Sequence, residues 1–246
     1  MQNCKNCNTE FDGNYCSNCG QRPNNGRIIL KESVRDVLEH YFDFDAPLFR
    51  TIKGMVTNPG IITREYIFGK RKSYSHPFRY FILVLAVYII LIQLLNFNSI
   101  EAFSEAIGAL ELPNPNTDSS RASNFLREHI NTFLLIYAFT LAFFAKLFNR
   151  KSGFYLVEYL SLSFFIIAEY ILFSIFIILL TFVLPKIFLL NYLIVIIYPI
   201  YVLVRFHEGN LFMRLLKATF VSVFGWLTYA TTSFTISFLI VKVFSL

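Results

Sequence analysis

The sequence has few charged residues, few glycines and prolines, and a single tryptophan. Charged side chains make up 15% of the 246 residues, whereas soluble proteins average about 25%, so an ordinary cytosolic protein is excluded. The 10 glycines and 8 prolines are too few for a collagen-like or low-complexity chain. A content of 55% hydrophobic residues, among them 29 phenylalanines, excludes a disordered chain. The composition is that of a membrane protein.

Catalytic motifs are scarce as well. The chain has four histidines and contains no G-x-S-x-G, Walker A or dinucleotide-binding glycine pattern. His207 and Glu208 are adjacent, but the second histidine of the H-E-x-x-H zinc-protease motif is missing. We therefore expect that the protein is not an enzyme.

From residue 78 onward the chain is a series of long apolar runs. A hydrocarbon core of about 30 Å takes about 20 helical residues, and hydrocarbon offers backbone groups no partners other than those within a helix. The sequence therefore predicts an all-α membrane protein whose domain at 78–246 is a bundle of five transmembrane helices. The predicted spans are residues 80–97, 130–148, 159–184, 187–206 and 218–244, with an extracytoplasmic loop at 98–129.

The distribution of lysine and arginine predicts the orientation. These residues cluster before the first span, after the second and after the fourth, whereas the loop at 98–129 carries two arginines against five acidic residues. By the positive-inside rule the N-terminus is cytoplasmic and the C-terminus lies outside. The first 25 residues have no apolar stretch, so we expect no signal peptide.

All four cysteines fall in the first 19 residues, as two C-x-x-C pairs. This spacing matches a structural zinc site, and metal coordination supplies the folding free energy that so short a segment cannot draw from a hydrophobic core. We predict a zinc ribbon at residues 1–22 that holds structural Zn²⁺. A closed shell of four thiolates leaves no open position for a substrate. The predicted metal ligands are Cys4, Cys7, Cys16 and Cys19.

Disulfides or a redox-active C-x-x-C pair are the alternatives, and both need a compartment or a fold that this segment lacks. Gly20 suits the tight backbone after the second pair, and Phe11 and Tyr15 are expected to cover one face of the site. Only two basic residues stand against two acidic ones up to residue 26, which argues against nucleic acid as a partner.

Between the ribbon and the bundle, residues 23–77 are predicted to form a linker and amphipathic helices. Apolar residues recur at helical spacing over 34–42 and 44–55. Pro59 at a first helical position and Gly69 past a helix end bracket a third, short helix. These helices either lie in the cytoplasmic interface of the membrane or cover the bundle, and their mixed charge favours packing against protein.

The segment at the start of the first span, residues 69–81, is basic and aromatic. Its cations can reach lipid phosphates while its rings lie at headgroup depth, and the alternative is a docking site for an anionic lipid or a protein partner. The residues expected to make these lipid or partner contacts are Lys70, Arg71, Lys72, Tyr74, His76 and Arg79.

Two motifs carry a family resemblance. The ribbon that ends in Cys-Ser-Asn-Cys-Gly-Gln and the segment G-K-R-x-x-Y-x-x-P-F-R-Y-F, followed by apolar helices, resemble a family of uncharacterised bacterial membrane proteins defined as a domain of unknown function. The resemblance implies a multi-pass protein of the bacterial inner membrane and adds nothing on mechanism. Five spans with a cytoplasmic N-terminus are also similar to the plan of Yip-type membrane-trafficking proteins, on topology alone.

Ionisable residues inside a span are candidates for function or for specific packing, since inserting each one into the membrane costs at least about 2.5 kcal/mol. Glu169 lies well inside the third span, and Glu158 precedes it by eleven residues, or about three helical turns, on the same face. The two carboxyls either form a proton or cation path, or Glu169 packs against polar partners such as Gln93 or hydroxyls of the fifth span.

The fifth span carries a seam of mostly small or hydroxyl residues. Such seams let helices approach closely in lipid, so we expect helix packing, with a substrate lining as the alternative. The seam consists of Ala218, Ser222, Gly225, Tyr229 and Thr232.

These features favour a non-enzymatic scaffold or accessory subunit. Its ribbon and basic-aromatic segment would bind a protein partner or lipid while the bundle anchors them, and homo-oligomerisation is left open. The competing hypothesis is a small ion- or proton-coupled transporter or channel that uses Glu169 and Glu158.

Overall fold

The computed structural model describes residues 2–22, 46–108 and 117–244, and this part of the chain is mainly helical. Two short antiparallel strands, β1 (Gln2–Asn3) and β2 (Glu10–Phe11), form the N-terminal sheet. The helix expected over 34–42 lies outside the described residues. The helices are α1 (Ala46–Thr57), α2 (Pro59–Ile67), α3 (Pro77–Leu94), α4 (Ser99–Ile107), α5 (Asp118–Glu128), α6 (Ile130–Phe148), α7 (Leu156–Thr181), α8 (Leu190–Phe206) and α9 (Leu211–Phe244).

Four helical segments among the described residues are long and apolar enough to cross a membrane. They are α3, α7, α9 and the segment Pro185–Phe206, which joins a 3₁₀ turn to α8. α6 coincides with the predicted second span and has 19 residues, but its apolar part, Phe133–Phe148, is shorter than the other four.

Two of these helices begin three residues earlier than the sequence predicted. α3 begins at Pro77 because the ring of proline fixes the φ angle that a first helical turn needs. α7 begins at Leu156 because the carboxylate of Glu158 accepts a hydrogen bond from the Tyr155 backbone N–H, at 2.7 Å, and so caps the helix. Glu158 therefore belongs to the first turn of α7.

The bundle is built around α7, which packs against α3, α6 and α8, while α9 packs along α5, α6 and α8. The seam on α9 makes the expected helix contacts: the Ser222 hydroxyl donates to the Ile196 carbonyl at 2.8 Å. The Thr140 hydroxyl of α6 donates to the Gly225 carbonyl at 3.0 Å, and the Tyr229 and Tyr137 rings lie 5.1 Å apart. Small residues thus bring α9 close to both neighbours.

α1 and α2 pack against the half of the bundle in which α7 begins and α8 ends, and α3 begins beside them; we call this the ribbon end. Met55, Tyr66 and Ile67 are buried in the same core as α7 and α8. The hydroxyl of Tyr198, on α8, donates to the Met55 carbonyl at 3.0 Å and thereby satisfies one of the last carbonyls of α1. The inner faces of α1 and α2 therefore pack against protein.

Candidate metal centre and its docking loop

The two cysteine pairs sit on two turns of the same shape, residues 4–9 and 16–21. In the first turn the Asn8 N–H donates to the Cys4 carbonyl at 2.8 Å, and in the second the Gly20 N–H donates to the Cys16 carbonyl at 2.9 Å. Asn8 and Gly20 both have left-handed backbones, with φ of 59° and 68°. The sequence predicted this conformation for Gly20 and missed it for Asn8, although asparagine adopts it more readily than other residues with a side chain.

The two turns bring the four cysteine sulfurs together, within 4.8 Å of one another. The sulfurs of Cys4 and Cys19 are 3.5 Å apart and those of Cys7 and Cys16 are 3.6 Å apart, with no disulfide among them. Tetrahedral zinc with Zn–S bonds of about 2.3 Å places sulfurs about 3.8 Å apart. The four thiols therefore fit a tetrahedral metal ion, as predicted.

The cover of this centre differs in part from the prediction. Phe11 is buried against Cys4 and Cys16, as expected. The expectation for Tyr15 is wrong: its ring is 51% exposed, and its hydroxyl accepts hydrogen bonds from the Arg22 guanidinium. Tyr15 lies between β2 and the second cysteine turn. Its ring packs with the Arg22 guanidinium, 5.1 Å from the ring centre, instead of with the cysteine sulfurs.

The ribbon is bound to the loop between α2 and α3, residues 68–76, which we call the docking loop. The side-chain amide of Gln21 donates to the Gly69 carbonyl at 2.7 Å and accepts from the Lys72 N–H at 3.2 Å. Gln21 is only 5% exposed. The Asn6 side-chain oxygen accepts from the Ser73 N–H at 3.0 Å and from the Ser73 hydroxyl at 2.7 Å. Sequence reasoning assigned no role to Asn6 or Gln21.

The other side of the docking loop is bound to α1 and α2. Lys70 forms an ion pair with Glu65 at 2.6 Å, and the buried Tyr74 hydroxyl donates to the second oxygen of the same carboxylate. These two hydrogen bonds hold the pKa of Glu65 below its usual value, while burial and then the bond to Glu65 raise the pKa of Tyr74 to about 12. The Ser75 N–H donates to the Thr51 hydroxyl at 2.9 Å. Lys70 and Tyr74 are thus engaged within the protein.

The remaining predicted contact residues differ in exposure. Lys72 is exposed, whereas Arg71, His76 and Arg79 are half-buried. The His76 ring lies edge-on to the Tyr66 ring at 6.2 Å. Burial, followed by the charges of Arg71 and Arg79, lowers the pKa of His76 to about 4, so this histidine is neutral at pH 7. Contact of these side chains with lipid or a partner stays a prediction.

Glu169 and Glu158 have separate partners in the structure. Glu169 is 1% exposed and accepts a hydrogen bond from the Tyr80 hydroxyl of α3 at 2.5 Å. The expected partners, Gln93 or hydroxyls of the fifth span, were wrong, because the start of α3 lies beside the middle of α7. Glu158 caps its own helix. Three residues were expected to line this face between the two carboxylates. Leu162 and Phe165 are apolar and fully buried, and the Ser161 hydroxyl donates to the Val157 carbonyl of its own helix at 3.1 Å.

Basic side chains surround His207 at the junction of α8 and α9. Arg214 donates to the His207 carbonyl at 2.9 Å, and Arg64 of α2 forms an ion pair with Glu208. Burial, followed by the charges of Arg64, Lys217 and Arg214, lowers the pKa of His207 to about 4. The Arg64–Glu208 pair links α2 to the turn that follows α8, and the exposure of Glu208 makes its contribution to stability small.

Comparison with known proteins gives one likeness. Residues 45–89, which contain α1, α2, the docking loop and the first part of α3, match the model of a family described as Protein of unknown function (DUF3667). No curated protein and no solved structure matches the chain. The matched segment is the one that receives the ribbon on one side and packs against α7 and α8 on the other, so the likeness lies in the docking region of the molecule.

Proposed function

We propose that this protein is a non-enzymatic membrane scaffold or accessory subunit that presents its metal ribbon, in a fixed position, to a protein partner or to lipid. The observation that carries the proposal is the attachment of the ribbon to the docking loop by Asn6 and Gln21. A ribbon on a free tether needs no such buried amide. A ribbon fixed to the bundle offers a surface of defined geometry, which preorganises it for binding.

The chemistry of the side chains supports a binding role over catalysis. The four thiols close around a single centre and leave no open ligand position. The two acidic residues of α7 are engaged in packing, Glu158 with a backbone N–H and Glu169 with Tyr80. Within the described residues, these two carboxylates are therefore committed to structure.

We assign structural Zn²⁺ to Cys4, Cys7, Cys16 and Cys19. The convergence of the sulfurs within 4.8 Å supports the assignment, as does the small apolar cover, which consists of Phe11 and the cysteines themselves. Metal analysis of the purified protein and of a Cys16→Ser, Cys19→Ser variant tests it. We expect one zinc per chain in the first and loss of zinc in the second, and zinc-free wild-type protein would end the assignment.

We further propose that α6 crosses the membrane with the other four helices, so that the bundle has five spans in a bacterial inner membrane. α6 packs between α7 and α9, both of which are long enough to span. The basic residues Lys146, Arg205 and Arg214 lie at the ribbon end, which supports a cytoplasmic N-terminus. A reporter fused after Leu246 should be active only outside the cytoplasm, and activity inside would reverse the orientation.

The scaffold proposal is tested by crosslinking and affinity purification from native membranes. Wild-type protein should retain a stoichiometric partner that is lost from a variant with Asn6→Ala and Gln21→Ala, because the ribbon is no longer held in place. Asn18→Ala is the matched control, since Asn18 bonds within the ribbon, to Thr9. Equal recovery of the same partners by all three proteins would contradict the proposal.

Transport is the second candidate, and the buried Glu169–Tyr80 pair is the observation that favours it. Buried carboxylates inside spans are common in proton and ion pathways. Glu169→Gln keeps an acceptor for Tyr80 and removes the titratable proton. Vesicles reconstituted with wild-type protein should show no proton or ion flux. Flux in the wild type that disappears in Glu169→Gln would replace the scaffold with a transporter.

A further inference from the structure

We propose that metal binding by the ribbon controls its attachment to the docking loop, so that the metal state of the four cysteines is transmitted to the start of α3. The inference rests on the proposed metal site and gives the scaffold a metal-dependent state. It follows from the position of the two attaching side chains. Asn6 lies between Cys4 and Cys7, and Gln21 lies two residues after Cys19.

The near-symmetry of the ribbon shows which of its side chains serve attachment. The sequences of the two turns, Cys4-Lys-Asn-Cys-Asn-Thr9 and Cys16-Ser-Asn-Cys-Gly-Gln21, can be aligned residue by residue. In this alignment Asn6 corresponds to Asn18, and Thr9 corresponds to Gln21. Asn18 and Thr9 bond to each other, at 3.2 Å, on the exposed side of the ribbon. Their counterparts instead bond outward to the docking loop. Equivalent positions in the two turns thus have different partners: Asn18 and Thr9 bond within the ribbon, whereas Asn6 and Gln21 bond to the docking loop.

The metal is what holds Asn6 and Gln21 in place. The Cys16 N–H donates to the Gln21 carbonyl at 2.9 Å, so the backbone of Gln21 is part of the second cysteine turn. The ribbon has Phe11 as its sole fully apolar buried side chain among the described residues 2–22. Such a segment cannot keep its turns together without a metal ion. Loss of metal therefore releases both amide side chains from the docking loop.

The docking loop connects the ribbon to three helices. On one side it is bound by the ribbon, and on the other it is bound by Thr51 of α1 and Glu65 of α2. Its last residue precedes Pro77, where α3 begins. A change at the contact with the ribbon thus acts directly on residues that fix the start of α3, which carries the Tyr80 partner of Glu169.

Thermodynamic linkage makes the coupling reciprocal. If metal stabilises the attachment, the attachment raises the affinity for metal by the same factor. Four hydrogen bonds from two side chains are at stake. Asn6→Ala combined with Gln21→Ala should therefore weaken zinc binding by about tenfold to a hundredfold, whereas Asn18→Ala should change it by less than about threefold.

Amide hydrogen exchange of the full-length protein in nanodiscs reads the attachment directly. The Lys72 and Ser73 N–H groups donate to Gln21 and Asn6, so they are protected while the ribbon is attached. Removal of zinc by a chelator should increase their exchange at least tenfold, and addition of zinc should restore protection. In the double variant with zinc bound, the same two amides should exchange rapidly, whereas Asn18→Ala should behave as the wild type.

The outcomes separate the coupling from the proposals on which it rests. If chelation frees the amides of Cys4 and Cys16 inside the ribbon while Lys72 and Ser73 stay protected, the coupling is wrong and the zinc assignment stands. If the protein contains no zinc and binds none, both are wrong. If the double variant binds zinc as tightly as the wild type, attachment and metal binding are independent. If the coupling is observed but no partner co-purifies with the wild-type protein, the scaffold proposal alone is wrong.

Discussion

Replacement of Gly60 by alanine should separate α2 from α8. Gly60 is the second residue of α2, and a Cβ atom at this position would lie 2.2 Å from the Arg205 carbonyl oxygen and 2.8 Å from the Phe206 nitrogen. Both are backbone atoms of α8, which cannot rotate away as a flexible side chain can. The two helices must therefore move apart by about 1 Å before the methyl group fits.

The magnitude follows from bonds between α8 and α1. α1 is joined to α2 at Asn58 and packs against it through Gly54 and Ile62, so it moves away from α8 together with α2. Tyr198 and Tyr201 of α8 donate to the Met55 and Thr57 carbonyls at 3.0 and 3.2 Å, and an additional 1 Å breaks both bonds. Two lost hydrogen bonds contribute about 1–3 kcal/mol and overpacking about 1–3 kcal/mol more. We expect about 3 kcal/mol, or roughly a hundredfold change in the equilibrium for local opening of α2.

Amide hydrogen exchange of α2 in detergent or nanodiscs measures this opening. Exchange of the α2 amides should accelerate about a hundredfold in Gly60→Ala. Gly225→Ala in α9 is the control, since its Cβ would lie 3.4 Å from Leu141, in ordinary contact, and should leave exchange within a few-fold of wild type. Unchanged α2 exchange in Gly60→Ala would show that α2 is not seated on α8 as described.

Three further predictions concern single side chains. Tyr80→Phe removes the donor to the buried Glu169 and should destabilise the protein by about 1–3 kcal/mol, seen as a lower melting temperature. Burial and nearby cations, Arg64 foremost, hold the pKa of His207 at about 4. Since this lies below the unfolded value near 6.5, stability should fall as pH drops from about 6.5 to 4, and His207→Gln should reduce that loss in pH-dependent melting. Gly20→Ala forces a side chain into a left-handed backbone with φ of 68°, at about 1–2 kcal/mol, and should weaken zinc binding several-fold in a chelator competition.

Each of these predictions has a control. Tyr80→Phe should have little effect once Glu169 is replaced by leucine, because the two changes remove the same bond. The difference in melting temperature between His207→Gln and the wild type should be constant above about pH 7, where this histidine is uncharged in both the folded and the unfolded state. Asn8→Gly should keep zinc affinity, since glycine accepts the φ of 59° found there. Equal melting of Tyr80→Phe and wild type, or equal zinc affinity of Gly20→Ala, would contradict the geometry.

Local and periodic signals predicted most of the elements. Pro59 and Gly69 bracket α2 as expected, because proline favours a first helical turn and Gly69 has φ of 121°. The apolar spacing over 44–55 corresponds to α1, and the C-x-x-C pairs converge in space. These features depend on residues close in sequence, so their signals survive in a single chain. Glu158 is the third residue of α7 and caps this helix, but the predicted span began one residue later, at Tyr159, so the sequence reasoning missed its role as a cap.

Partners distant in sequence were not predicted. Tyr80 and Glu169 are separated by 89 residues, and Gln21 and Gly69 by 48. The choice of partner for a buried polar group depends on how far two helices are shifted along each other, and helical periodicity carries no information about that shift. The same holds for the ribbon, whose cysteine spacing predicts a metal site but not the surface on which it rests.

The hydrogen bond from Tyr198 to Met55 has a consequence for biosynthesis. Its two residues are separated by 143 positions, so the carbonyl of Met55 is made long before its donor exists. At 5–20 residues per second, translation of the intervening chain takes roughly 7 to 30 s. During this time α1 and α2 leave the ribosome without the helix against which they pack. α1 and α2 are therefore made early and reach their final position late, and the apolar surface with which they face α8 stays uncovered until α8 has been made.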